Sequence, residues 1–477
     1  MRISLLVWLS LLAGCASGPD FVRPAVPRSH GYADTAAAAP DSTSATGSAH
    51  DAQQVVLGAA VASDWWTLFD CDVLNDLIRQ ALDASPSVRA AQSTLSQAQE
   101  LTAAAEGARY PSVNLTGGVG RQKYGKEFLG PLTPPPPFTY FAAGAAVSYT
   151  FDVAGGVARS IEERRALFEY QRQELRAAQL ALAGNVVGEA IELASAAERI
   201  RAINELLEED RRNLKLVQTS LAAGNTTRVD VLFADSQLAN DETLLPPAAQ
   251  QLTLARHALA VLVGHAPADW SPPELDFGRL TLPGTLPVSL PSELVHQRPD
   301  ILAAEAALHA ATAQVGVATA NLYPHLTLTG SAGQQALTLG TLFAGGNGVW
   351  TVASGLTAPI FDGGTLRAER RADIDALHAS AASYEEAVLQ GLRQVADVLA
   401  GIDHDAELLA AETHAVDAAQ ASLNLARESY RAGNVGVLQV LDAERAYSRA
   451  RLDYVRVAAQ RYSDTAQLYL ALGGTAP

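Results

Sequence analysis

The sequence predicts a mixed fold: a transmembrane β-barrel plus a long α-helical coiled-coil barrel, four strands per chain, in an internal twofold repeat. Three observations predict it. Val395, Ile402, Leu409, Val416, Leu423 and Tyr430 fall seven apart, in a stretch from Gly363 to Leu472 that contains no proline. A set of landmarks recurs in the same order roughly 210 residues apart. Four segments of about ten residues alternate between apolar and small or polar side chains.

The helical part follows from the seven-residue spacing. Leu392, Leu399 and Ala406 supply a second heptad position. A strict seven-residue repeat winds helices into a left-handed supercoil, because a straight helix would drift off the seam. Gly433, in Ala432-Gly433-Asn434, can take the left-handed conformation that ends a helix. Apolar spacing resumes at Val437, Val440 and Leu441 and runs to Leu470. The segment reads as a very long helix, a tight turn and a returning helix. About 65 residues at 1.5 Å each span roughly 100 Å. A rod of that length needs neighbours along its whole side.

The duplication rests on particular matches. Leu221-Ala222-Ala223-Gly224-Asn225 and Val229 to Leu232 correspond to Tyr430-Arg431-Ala432-Gly433-Asn434 and Leu438 to Leu441. Tyr110-Pro111 through Gly117 corresponds to Tyr323-Pro324 through Gly330, and Phe151-Asp152 with Gly155-Gly156 to Phe361-Asp362-Gly363-Gly364. The unit is too long for a solenoid repeat. The chain divides into a signal peptide (1–14), an extended tether (15–62), repeat one (63–270), a proline-rich linker (271–290) and repeat two (291–477).

At the start, Arg2 precedes an apolar run from Ile3 to Leu12, then Leu12-Ala13-Gly14-Cys15. A basic residue, a short apolar stretch and small residues make a secretory signal, and the run is too short to span a bilayer. Leu-Ala-Gly-Cys resembles the bacterial lipoprotein box, which implies that Cys15 becomes an acylated first residue. A plain signal with an incidental cysteine is the alternative. Ala16, rather than aspartate, follows the cysteine; by the same resemblance that permits passage to the outer membrane. Cys71 is the other cysteine, so lipidation of Cys15 would leave no intrachain disulfide.

The tether is rich in Pro, Ala, Ser, Thr and Gly. Order begins at Asp64-Trp65-Trp66. Leu74, Leu77, Ile78, Ala81 and Leu82 mark one face of a helix, and Pro86 opens a second. In the first strand Val113, Leu115 and Val119 alternate with Asn114, Thr116 and Gly118. In the second, Phe141, Ala143, Ala145, Val147, Tyr149 and Phe151 share a face. Repeat two supplies Leu326, Leu328 and Gly330, then Trp350, Val352, Ser354 and Leu356. Such segments fit membrane barrel strands, although each taken singly fits a soluble hairpin equally well. Aromatic residues near the strand ends suit a membrane interface. Four strands leave open edges that hydrocarbon does not tolerate, so copies must close the barrel. Two copies give about eight strands and a filled barrel; three give about twelve and a passage.

With these residues in place the chain resembles the TolC/OprM-type outer-membrane factors, in their lipoprotein (NodT-like) branch. The resemblance is carried by Leu12 to Cys15, Trp65-Trp66 with Phe69, Arg298-Pro299-Asp300-Ile301, Tyr323-Pro324, Pro359 to Gly364, and Tyr430 to Gly433 with Leu441-Asp442. It implies a homotrimer with a barrel in the outer membrane and helices in the periplasm. It further implies a passive exit duct for drugs or other toxic small molecules, working with a periplasmic adaptor and an inner-membrane pump of the resistance-nodulation-division type. By position, Asp442 matches a carboxylate ringing the narrowest point and Leu438 an apolar constriction. Asp230 and Tyr430 match a pair that ties the tip helices. Each has a plainer reading: a solvated acid for Asp442, coiled-coil core for Leu438 and Tyr430, and a capping acid for Asp230. Gln439 and Val435 stand where some relatives carry aspartate and arginine, which implies a thinner locking network.

Other classes find little support. A net charge of −17 argues against a general nucleic-acid binder. The ten histidines are scattered, and Glu293 and His296 have the Glu-x-x-His spacing of di-iron bundles but no second copy. No enzyme activity and no cofactor or metal is expected. A lipid-anchored periplasmic adaptor is the alternative; four amphipathic strands at duplicated positions count against it.

Overall fold

The structure is a computed structural model that describes residues 17–25, 31–32, 53–59, 61–124 and 136–474. The signal segment and Cys15 lie outside the described residues. The elements are β1 (Gln54–Leu57), α1 (Asp72–Ala84), α2 (Pro86–Gly107), β2 (Ser112–Gln122), β3 (Phe138–Phe151), α3 (Gly156–Ala222), α4 (Arg228–Glu242), α5 (Leu245–Leu262), β4 (Thr285–Val288), α6 (Pro291–Gln297), α7 (Pro299–Ala320), β5 (His325–Ala336), β6 (Gly348–Thr357), α8 (Thr365–Arg431) and α9 (Val437–Ala471). Two compact units interleave in sequence. One holds Met1–Pro24, Thr94–Gln171 and Ala303–Tyr384; the other holds Ala25–Ser93, Arg172–Leu302 and Glu385–Pro477. The division cuts across both repeats. The long helices α3 and α8, 67 residues each, contribute to both units.

The first unit carries a four-stranded antiparallel sheet in the order β2-β3-β5-β6. Directly paired residues in an antiparallel sheet share a face. The register therefore aligns Val113, Val147, Gly330 and Val352 across one face, and Leu115, Ala145, Ala332 and Trp350 beside them. The opposite face aligns Asn114, Ala146, Ser331 and Thr351. The apolar face is uncovered: Leu115 is 89% exposed and Trp350 77%. Among the described residues the outer edges of β2 and β6 have no strand partner. An apolar face without cover and two open edges are what a bilayer and neighbouring copies would satisfy.

In the same unit, Ser17 to Arg23 lie folded against α3 and α7, where the sequence reads as a loose tether. Gly18 has φ +85°, and a Cβ there would come within 2.5 Å of Gly316 Cα. Arg159, almost fully buried, donates from Nε to the Ser17 carbonyl (3.1 Å), from Nη2 to Asp20 (2.5 Å) and from Nη1 to Glu162 (2.7 Å). Phe21 stacks on His309 at 4.3 Å, and Arg23 pairs with Glu305 at 2.6 Å. The strap escaped sequence reading because its partners lie more than a hundred residues away. Gly316→Leu should dislodge it, since Arg159 Cγ and the Ser17 carbonyl lie 2.7 and 2.9 Å from where the new Cβ would sit. Limited proteolysis followed by amino-terminal sequencing should then show cleavage after Ser17 that the unaltered protein resists.

The second unit is built around Trp65, Phe69, Leu74, Leu77, Ile78, Leu259, Leu286, Leu294 and Tyr469, all within 2% of full burial. Each such side chain contributes about 1.5–3 kcal/mol by leaving water. Trp65 stacks on Tyr469 at 5.4 Å, so the first ordered residues of repeat one close against the last helix of repeat two. β1 pairs in parallel with β4, from Gln54↔Thr285 to Leu57↔Val288. Both strands fall in stretches read as tether and linker. Four residues each, with Pro287 inside β4, are too short for an alternation signal. Arg298 Nη1 donates to the Ala471 carbonyl at the end of α9 (2.6 Å), and Nη2 donates to Gln394 (2.7 Å) and Asp300 (2.7 Å).

Candidate functional site at the helical tips

Both hairpins turn the same way. After α3, Gly224 has φ +77°, and the Asn225 amide donates to the Ser220 carbonyl at 2.9 Å. After α8, Gly433 has φ +75°, and the Asn434 amide donates to the Ser429 carbonyl at 2.9 Å. These six-to-one bonds with a left-handed glycine close the helix ends as a Schellman motif. The returning helices then differ. α4 starts with a capping box in which the Thr227 hydroxyl accepts from the Asp230 amide (3.3 Å) and the Asp230 carboxylate accepts from the Thr227 amide (2.8 Å). The Thr226 and Thr227 hydroxyls also donate to that carboxylate, each at 2.7 Å. At the equivalent place α9 has Gly436 and Gln439, with no side-chain cap.

Asp230 is therefore engaged within its own turn. Its carboxyl lies below the ordinary 3.8, held there first by the Thr226 hydroxyl, then by the Thr227 hydroxyl and amide. A depressed carboxyl stabilises above its ordinary value and loses that contribution as pH falls through the folded-state value, so this cap is intact at neutral pH. Asp230→Ala should quicken amide exchange in the first turn of α4 and leave the rest of the helix unchanged. Tyr430 is half-buried against Val217, Ala234, Val437 and Leu441, with Leu214 and Val231 alongside. The structure does not bring Tyr430 and Asp230 into a hydrogen bond; it packs the one and caps with the other.

On α9, Val437, Val440, Leu441 and Glu444 make the buried stripe. Leu438 (43% exposed) and Asp442 lie one turn apart on the uncovered face, with Gln439 beside them. Glu444 is the residue that the sequence reading missed. It accepts from Asn213 on α3 and from Arg427 on α8 (3.0 Å), and Arg427 also reaches Glu209 on α3 (2.8 Å). Burial first raises the Glu444 carboxyl, Arg427 lowers it and Glu209 raises it. A charged residue on the apolar stripe of α9 was the available signal. This network joins helices of both repeats beside the tip. A groove of about 690 Å³ next to it is lined by Arg212, Arg427 and Arg451 with Glu205, Glu209 and Glu444. Its charges pair with one another, Arg451 with Glu205 and Arg427 with Glu209. Among the described residues no group of His, Cys, Asp or Glu could hold a metal ion; Glu293 instead accepts from the Leu290 amide at 3.3 Å.

Residues 77–265 and 290–474 match the family described as outer membrane efflux protein. The chain is 32% identical over 427 residues to the pyoverdine export outer membrane protein OpmQ of Pseudomonas aeruginosa, covering 87% of this chain and 89% of that protein. It is 27% identical to the probable outer membrane lipoprotein SilC of Salmonella typhimurium, covering 97% and 96%. Among solved structures it resembles the outer-membrane channel OprN, with a TM-score of 0.85, 28% identity and coverage of 96% and 99%. It likewise resembles the open state of the MtrE outer membrane channel of Neisseria gonorrhoeae, with a TM-score of 0.81, 26% identity and coverage of 97% and 99%. The chain shares the fold of these outer-membrane channels, and it belongs to the outer membrane efflux protein family.

Proposed function

We propose that the protein is the exit duct of a tripartite efflux system, a passive channel that releases drugs or other toxic small molecules across the outer membrane. Three copies close about twelve strands in the bilayer, and the helices continue the passage into the periplasm. The observation that carries this reading is the sheet with an uncovered apolar face and two open edges, joined in one chain to 67-residue helices. The gate is placed at the tips, where Leu438 and Asp442 stand on the uncovered face of α9. Its partners are two further copies, a periplasmic adaptor, an inner-membrane pump of the resistance-nodulation-division type, and outer-membrane lipid. The names of OpmQ and SilC, an export protein and a lipoprotein, support export and a lipid anchor at Cys15. Purified protein added to planar bilayers should give stepwise conductance; protein that binds vesicles but never conducts would refute the duct. Intact mass should show a processed, acylated amino terminus at Cys15, and an unmodified terminus at another residue would refute the anchor. A single acyl chain holds a membrane weakly, so more than one is expected.

A further inference from the structure

Asp210 breaks the packing pattern of its own helix. It lies on α3 midway between Ile203 and Val217, seven residues from each, and both are fully buried. Asp210 is itself only 3% exposed. Its Oδ2 is buried, and no described N–H or O–H donates to it. What faces it is mostly acid: Asp241 on α4 and Glu444 on α9, with Arg445 on α9 as the cation acting on it. Arg445 is turned to Gln237 Oε1 on α4 (2.9 Å), and Gln237 Nε2 donates to Asp241 (2.6 Å). Arg427 on α8 is taken up between Glu444 and Glu209. Burial first, and Asp241 next, push the Asp210 carboxyl up to about 7.

A second pair repeats the arrangement on the other hairpin. Asp464 on α9 faces Asp405 on α8, whose Oδ2 is also buried without a described donor. Gln460 donates to Asp464 at 3.0 Å. Burial first, then Asp405, push Asp464 up to about 7. Each pair links the outgoing and returning arms of one hairpin. The repeat supplies an internal control. At the offset that carries Gly224 onto Gly433, Asp210 and Asp241 fall on Ala419 and Ala450. Asp405 and Asp464 fall on Ala196 and Ala255, which are buried. The same fold is thus built with alanine at all four equivalent positions, and packing alone does not call for acids.

We propose that each helical hairpin is clasped by a carboxyl pair holding one proton between its arms, and that this proton is the ligand that sets how tightly the arms close. The protonated acid donates its O–H to the partner carboxylate. When the proton leaves, two anions face each other beside apolar side chains, and the arms part to admit water. A carboxyl raised from 3.8 to about 7 keeps its proton on the closed hairpin where the opened one would lose it. Closure is therefore strongest below about pH 4, weakens as pH rises towards 7, and changes no further above that. Near neutrality the clasp is poised.

Hydrogen–deuterium exchange on the intact protein in detergent, corrected for intrinsic rates, tests this at pH 5, 7 and 9. Opening of the segments around Asp210 and Asp241 should rise roughly tenfold or more from pH 5 to 9, since each unit of pKa shift corresponds to a tenfold change. Asp210→Asn has no proton to lose and should flatten the response. The double change Asp210→Ala with Asp241→Ala installs the residues of the other repeat and should flatten it too, which keeps the test decisive if the asparagine variant fails to fold. Asp235→Asn, at an exposed acid on α4, should leave the response intact. A flat profile in the unaltered protein, a pH response surviving in both Asp210 variants, or its loss in Asp235→Asn would overturn the proposal. The readout is hairpin opening rather than conduction, so it stands or falls separately from the gate at Asp442.

Discussion

Asp442→Ala should raise single-channel conductance by roughly twofold or more and weaken cation selectivity, because rings of carboxylates in a pore attract cations and delay anions. Asp442 is exposed within the first two turns of α9, which starts at Val437. A threefold assembly would bring three copies of it to one axis. Three like charges repel, so the closed ring depends on tip packing, bound cations or shared protons. The packing is visible: Val437, Val440 and Leu441 are buried on the opposite side of the helix. Leu438→Ala should also raise conductance, since it removes apolar bulk one turn earlier, but should leave selectivity near that of the unaltered channel. Recording both variants separates a charged constriction from an apolar one. Unchanged conductance and unchanged selectivity in Asp442→Ala would make it a solvated acid and put the gate elsewhere.

Arg298→Ala should cost about 2–4 kcal/mol of stability, the range for removing a buried, multiply bonded charged group. The Arg298 side chain is 7% exposed, while Asp300 is 51% exposed and regains water once its partner is gone. The larger loss falls on the Ala471 carbonyl, which ends α9, and on Gln394 of α8. Gly391 and Gly473 pack on the same side chain, with room for no Cβ on Gly473, where one would meet Arg298 Cγ at 2.8 Å. Arg298→Lys keeps the charge but not the planar fork, and should recover only part of the loss. Thermal or denaturant unfolding of the detergent-solubilised protein measures both. Stability unchanged in Arg298→Ala would mean that the clamp merely decorates the core.

Much of this was legible because the signals were periodic. The heptads from Val395 to Tyr430 lie within one continuous helix, and the alternation of Val113, Leu115 and Val119 became one face of a sheet. Gly224 and Gly433 marked both turns, since few other residues take their left-handed backbone. The plainer reading of Asp230 as a capping acid is the one its turn displays, with Thr227 as the partner that only the structure identified. What stayed hidden depends on distant partners. The β1–β4 pair joins residues more than two hundred positions apart, and four-residue strands have no period to read. Glu444 and Asp210 sit at apolar positions, and only the packed helices reveal which charges meet them there. Ring closure cannot be read from one chain; it is inferred from the edges that β2 and β6 leave open.

Those open edges make the copy number the most direct test of the whole account. Native mass spectrometry of the purified protein in detergent should show three copies of a chain of just under 50.0 kDa once the signal segment is removed, plus acyl mass. A stable monomer under the same conditions would contradict a barrel shared between chains, and with it the duct.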